Sequence, residues 1–272
     1  MMDYSHLRED FPTLRQEDAP AYLDNACVTL KPDSVIKSIS DYYSMYPGCG
    51  GRSVHRYGTQ VSRLVSHSRK VMADFINAKS VNEVVFSRNT THSINQIAKG
   101  ITWQEGDVVI TGDREHIANL VPGLQVVDEQ GIEQVIVKSN QDYTFNLDNF
   151  EQLCDDHGER LKMVSLSHVG NLDGIDIPIA KIAEITHRYD ALIAVDGAQS
   201  APHMNVDVQA LDIDFLSFSI HKMCGPSGMG GLWGRYELLD SLRSIQSGGQ
   251  TVQTANYASV KWAAPPSRFE GG

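Results

Sequence analysis

Long apolar runs, clustered cysteines and an excess of positive charge are all missing from this sequence, and each absence closes off a class. No stretch reaches the roughly 18 apolar residues that a membrane-spanning helix needs. The opening MMDYSHLRED is acidic and has no apolar signal core, which makes the cytoplasm the expected location. The four cysteines, Cys27, Cys49, Cys154 and Cys224, are scattered with no C-x-x-C pair, so neither zinc nor a dithiol redox motif is expected and most read as reduced, structural thiols. Lysine and arginine total 23 against 34 acidic residues, a net charge of −11. A nucleic-acid partner needs concentrated cations to displace counterions, so that class is set aside. Repeats, low-complexity tracts and long charged linkers are also lacking. The glycine-rich CGPSGMGGLWG is no nucleotide loop: Lys222 precedes the glycines, and Trp233 stands where G-x-G-x-x-G requires its last glycine. No H-E-x-x-H, metal-spaced His/Cys cluster or G-x-S-x-G elbow occurs.

What is present is an ordinary globular composition, 41% hydrophobic over 272 residues, enough for one substantial core. The stretch GTQVSRLVSHSRKVMADFINA carries Val61, Leu64, Val65, Val71, Met72 and Phe75 at helical spacing, which predicts a helix lying against a core. After it, β-rich runs (EVVFS, DVVIT, EQVIVKS, KMVSLSH, ALIAVD, DFLSFS) alternate with helical patterns such as NLDNFEQLCDDHG and PIAKIAEITHRYD. Alternation of this kind predicts a mainly parallel sheet covered by helices on both faces, an α/β architecture. The proline-rich AAPPSRFEGG at the end shows no obvious packing partner.

In such sheets ligands collect at the carboxyl ends of the strands. Thr90 and Thr91 follow one strand, His116 the next, and Asn171, Asp196 and Lys222 follow three more. Lys222 stands where the apolar Phe215-Leu216-Ser217-Phe218 meets the glycine loop, and a lysine near a core is costly unless it is paired or used covalently. An aspartate at one strand end and a downstream lysine are the minimum kit for pyridoxal 5'-phosphate: the lysine condenses with the aldehyde, and the aspartate keeps the pyridine nitrogen protonated. Asp196 and Lys222 are those candidates. Gln199 is a turn away from Asp196, within reach of the ring's phenolic oxygen. Thr90 and Thr91 open a helix whose free amides suit a phosphate, and Ser219 and His221 add donors beside the lysine. His116 is suited to stack on the ring or move a proton. Taken singly, each has a plainer reading: a snorkelling surface lysine, a turn aspartate, a helix-capping threonine, a structural histidine. Their common place at strand ends favours the cofactor reading.

The segments AYLDNACVTLKP, FSRNTTHSINQIAKG, REHIANLVP, VDGAQSAPHMNVDVQALDIDFLSFSIHKMCGPSGMGGLWG and SRFEGG together resemble the class V aminotransferase family of fold-type I pyridoxal-phosphate enzymes, nearest to its cysteine desulfurase and selenocysteine lyase branch. The resemblance covers nearly the whole chain, in order. It implies a three-layer α/β/α large domain over residues 21–272, preceded by an N-terminal arm at 1–20, and a homodimer. It also implies that Lys222 and His116 are catalytic and that Asp196, Gln199, Thr90, Thr91, Ser219 and His221 hold the cofactor. Asn171 would lie near both cofactor and substrate, and His55 at the active-site mouth. The implied reaction converts L-cysteine to L-alanine with sulfur held on the enzyme, for transfer to an acceptor protein.

Departures from the pattern bear on the reaction. The family's small C-terminal domain, with its substrate-binding arginine and persulfide cysteine, is not part of these 272 residues, which suggests a chain inactive by truncation. Cys27 replaces a small apolar residue, Ile220 a common glycine and Ile117 a common second histidine. Another class V reaction (transamination, β-elimination or epimerisation) and a catalytically silent cofactor-binding or dimerisation module both remain open on the sequence alone.

Overall fold

A computed structural model describes residues 4–271; the first three residues of the expected arm, and Gly272, lie outside the described residues. Two short 3₁₀ turns, Ser5–Asp10 and Pro12–Arg15, precede helices α1 (Asp33–Met45) and α2 (Arg56–Phe75). Then come β1 (Val84–Ser87), α3 (Thr90–Gly100), β2 (Val108–Gly112), α4 (Ile117–Gln130), β3 (Glu133–Val137), α5 (Leu147–His157) and β4 (Leu161–Ser167). The chain continues through α6 (Ile179–His187), β5 (Leu192–Asp196), α7 (Ser200–His203), β6 (Phe215–Ser219), β7 (Gly230–Gly234) and α8 (Tyr236–Ser241). A two-stranded ribbon, β8 (Val252–Ala255) with β9 (Val260–Trp262), follows.

The main sheet has seven strands in the order β1-β7-β6-β5-β4-β2-β3. Only β7 runs against its neighbours, and it does so on both sides. The carboxyl ends of β1, β2, β4, β5 and β6 therefore share one edge, where the site residues emerge. Side chains alternate along each strand, so the sheet feeds two cores. Ile110, Val164, Leu166, Ile193, Val195, Leu216 and Phe218 face one side, with Phe150 of α5 and Ile182 and Ile185 of α6. Val109, Met163, Ala194, Phe215 and Leu232 face the other, with Ile97 of α3 and Val126 of α4. Strands covered on both faces read as nearly continuous apolar runs, which is how they appear in the sequence. The expected three-layer α/β/α arrangement is the one observed.

Three expectations need correction. The glycine-rich GGLWG is not a loop but the buried strand β7. Its glycines are required by crowding: a Cβ on Gly231 would lie 2.3 Å from Phe218 Cζ and one on Gly234 2.7 Å from Phe215 Cδ1. Helix α2 lies against the core only through its last turn, at Met72 and Ala73; Leu64, Val65, Val71 and Phe75 stay exposed. The tail AAPPSRFEGG does have a packing partner. Phe269 is buried in the second core, and Glu270 pairs with Arg69 at 2.6 Å and accepts the Phe86 amide at 2.6 Å. That ties the tail to the outer edge strand β1.

Gly231→Ala should therefore destabilise the fold by about 1–3 kcal/mol, the usual cost of overpacking. Urea unfolding measures it, and an unchanged midpoint would contradict the close approach of Phe218 to β7.

Candidate active site

Strand β5 ends on Asp196, whose side chain is buried and whose Oδ1 accepts the Ala198 amide at 2.9 Å. Burial raises its pKa, opposed by that amide and by the positive field of Lys222. Strand β6 ends on Ser219 and passes into the turn Ile220–Lys222. The Lys222 ammonium is half-buried and takes part in no hydrogen bond or ion pair among the described residues. A half-buried cation therefore stands open toward a buried anion.

The turn before Lys222 is fastened from far away in the chain. The His221 carbonyl accepts the Thr29 amide at 3.0 Å, the Thr29 hydroxyl at 2.9 Å and the Lys31 ammonium at 2.9 Å. The Thr29 hydroxyl also accepts the Cys224 amide at 2.8 Å, which holds Cys224 in its left-handed conformation at φ 60°. Gln199 Nε2 donates to the Ala26 carbonyl at 2.8 Å. Residues 24–31 thus form a wall in which Asp24, Ala26 and Cys27 line the same cavity as Lys222.

A donor cluster stands at the start of α3. Asn89 caps the helix by accepting the His92 amide at 2.8 Å, and the Thr90 amide donates to Ser219 Oγ at 2.9 Å. The Thr90 and Ser219 hydroxyls share one hydrogen bond at 2.7 Å. Whichever of them donates, the other keeps a free proton for a ligand. Thr91 stands on the exposed rim, its amide the open donor of the first turn. His221 is half-buried beside them, its pKa lowered by burial and then by Lys222 and Lys31.

His116 caps α4: its Nδ1 accepts the Ala118 amide at 3.0 Å. Accepting there leaves the ring proton on Nε2. Next to it lies a residue that the sequence reading missed. The Glu115 carboxylate accepts from the Ser167 amide at 2.9 Å, the Ser167 hydroxyl at 2.6 Å and Asn119 Nδ2 at 2.7 Å. Burial pushes its pKa up to about 7 against those donors, with Asp196 adding to the rise. Asn171, after β4, is half-buried at the cavity.

Lys222, Asp196, Gln199, His116, Thr90, Thr91, Asn171, Ser219 and His221 all line one cavity of about 410 Å³. His55 does not line it. Its ring caps α2 by accepting the Gly58 amide at 3.4 Å. The size suits a small cofactor with a substrate. The donor set also suits a flat phosphorylated pyridine, with an amine for the aldehyde, a carboxylate for the ring nitrogen, an amide for the phenolic oxygen, and hydroxyls at a helix start for the phosphate. The missed wall residues Asp24 and Ala26 carry no chemical signal that would single them out. Glu115 had one, since it directly precedes His116 in REHIANLVP.

The three-layer sheet and this donor set define a domain of the fold-type I pyridoxal-phosphate kind. The model of the aminotransferase class-V family matches residues 21–272, and the chain belongs to that family, whose members are pyridoxal-phosphate dependent. A probable cysteine desulfurase of Halalkalibacterium halodurans is 36% identical over 277 residues, covering 100% of this chain and 68% of that protein. One from Streptomyces coelicolor is 35% identical over 284 residues, covering 100% and 67%. Among solved structures, the cysteine desulfurase CsdA of Escherichia coli superposes with a TM-score of 0.91 at 32% identity, covering 100% of this chain and 68% of its own. The chain therefore spans about two thirds of the length of these relatives.

An acid whose folded pKa is raised contributes stability below its unfolded pKa and loses it as pH climbs through the folded value. For Glu115 that window runs from 4.5 to about 7. Glu115→Gln removes this titration. Comparison of urea midpoints for wild type and variant from pH 4 to 8 should show the difference moving in the variant's favour across the window, and a constant difference would contradict the raised pKa.

Proposed function

We propose that this chain binds pyridoxal 5'-phosphate covalently through Lys222 and acts on an amino acid as a cysteine desulfurase-type enzyme, taking sulfur from L-cysteine and releasing alanine. One observation carries the reading: an unpaired, half-buried Lys222 and a buried Asp196 share one cavity with Gln199 and His116. The named relatives and the match over residues 21–272 support it. Bound there, the cofactor supplies a reactive aldehyde and an electron-accepting ring.

The chain's own residues do the rest. Asp196, held by the Ala198 amide, keeps a proton on the ring nitrogen. Gln199 orients toward the phenolic oxygen while its amide is steadied on Ala26. Thr91, Thr90, Ser219 and His221 hold the phosphate. His116, lining the same cavity, would cover the ring face and offer its Nε2 proton. Lys222 would hold the cofactor's aldehyde carbon and, with its amine free, could take the substrate's Cα proton, while Asn171 would contact the substrate. His55, whose Nδ1 caps α2, would stand toward the site mouth on the substrate side. No cysteine of this chain is assigned as the sulfur-accepting thiol.

We assign residues 1–20 to an arm and 21–272 to the cofactor-binding domain, and place the protein in the cytoplasm as a homodimer that passes sulfur to an acceptor protein. No helix among the described residues is long and apolar enough to cross a membrane. Apolar side chains exposed on α1 and α2, among them Ile36, Ile39, Val65 and Phe75, support an assembly partner.

Borohydride reduction of protein supplied with the cofactor, followed by peptide mapping, should find the adduct on Lys222 and none in Lys222→Ala. Absence of any adduct in the wild type overturns the cofactor reading. Assays with L-cysteine and a thiol reductant such as dithiothreitol, which releases the transferred sulfur as sulfide, should yield alanine and sulfide; keto acid without alanine would replace desulfuration by transamination or β-elimination.

A further inference from the structure

Resting on the cofactor reading above, we infer that Glu115 is a positioning residue, whose carboxylate clamps the turn carrying His116 to strand β4 and so sets the height of the His116 ring above the Asp196 floor. The clamp spans His116. On one side is the Glu115 backbone; on the other is Asn119, whose Nδ2 donates to Glu115 Oε2 at 2.7 Å. The Asn119 amide cannot turn over freely, because its Oδ1 accepts the Ser165 hydroxyl at 2.6 Å. Both Ser165 and Ser167 belong to β4, and Ser167 pairs in register with Asp196 of β5. The position of His116 is thus referenced, through Glu115 and Ser167, to the strand beside Asp196.

Two further features show that the fold makes room for this clamp. A Cβ on Gly112 would come within 3.1 Å of Glu115 Oε1, so the glycine ending β2 leaves space for the carboxylate. The other side-chain ties on the turn, Arg114 to Asp173 at 2.5 Å and Asp113 to Ser139 at 2.6 Å, lie on the exposed surface, where such contacts are screened and weak. The Glu115 bonds are part-buried, and an acceptor serving three donors is the stronger constraint. The chemistry of the carboxyl agrees with that enclosure, since burial lifts it to about 7 despite those three donors. His116 Nδ1 is held independently by the Ala118 amide, which fixes the ring's rotation but not the height of the turn.

The test is a double-mutant cycle on the cofactor-loaded protein, with Glu115→Ala, His116→Ala and the pair together. Each is read by circular dichroism in the cofactor's visible band and by the dissociation constant for pyridoxal 5'-phosphate. Glu115→Ala should reduce the band and weaken binding by about tenfold, the scale of lost outer-shell support at a bound group. If Glu115 acts through His116, the double variant is no worse than His116→Ala alone. Glu115→Gln, which keeps one oxygen for the Ser167 amide, should recover part of the band, and it carries the same cycle if the alanine variant does not fold. Losses that multiply in the double variant, or a band untouched by both substitutions at Glu115, overturn the inference while leaving the Lys222 adduct intact. A wild type that forms no adduct overturns this inference and the cofactor reading together.

Discussion

The site depends on a separation of charge. A carboxylate whose pKa burial raises, Asp196, shares a cavity with an ammonium that forms no bond of its own among the described residues, Lys222. Two such groups left in contact would form an ion pair and do nothing else. Here the end of β5 holds one and the turn after β6 holds the other, and no ion pair joins them. The unsatisfied polarity of each becomes binding capacity for a molecule with a basic nitrogen at one end and an electrophilic carbon at the other.

The sheet makes this separation rigid. Asp196 pairs with Ser217 on β6 and with Ser167 on β4, so a shift of its position would break ladder bonds on both sides. Strand β7, running against its neighbours, brings its glycines against Phe218 and Phe215 and stiffens the support beneath the lysine turn. Helix α3 contributes through its first residue, since the Thr90 amide and hydroxyl both bond to Ser219 at the end of β6. Packing on both faces and the donor cluster at the edge are in this sense one construction. The apolar contacts decide where the polar groups stand.

Much of this was legible in the residues. Period-two burial on both faces produces dense apolar runs, and six of the seven sheet strands announce themselves in that way. The site residues were legible because each follows such a run directly, as Lys222 follows Phe215–Ser219. Strand β7 was hidden because its glycines, demanded by neighbouring aromatic rings, are the usual signature of a loop. The anchoring of Phe269 and Glu270 was hidden because it depends on Arg69 and Phe86, about 200 residues earlier in the chain, where local pattern carries no information. His55 stands apart from the other site residues in this chain, its Nδ1 capping α2 outside the cavity. Glu115 shows a third limit, since an acidic residue in a turn normally reads as solvated and only the donors around it reveal that it is enclosed.

The fastening of Thr29 and Lys31 on the His221 carbonyl joins points 192 and 190 positions apart. Contacts of that span form late, because the intervening chain must already be ordered before they repay the entropy of closure. On the ribosome, the stretch bearing Asp24, Ala26 and Cys27 emerges first, yet has nothing to grip until the lysine turn has been made. The wall beside the reactive amine is therefore assembled from segments far apart in sequence, and it stands only when the lysine turn and residues 24–31 are both in place.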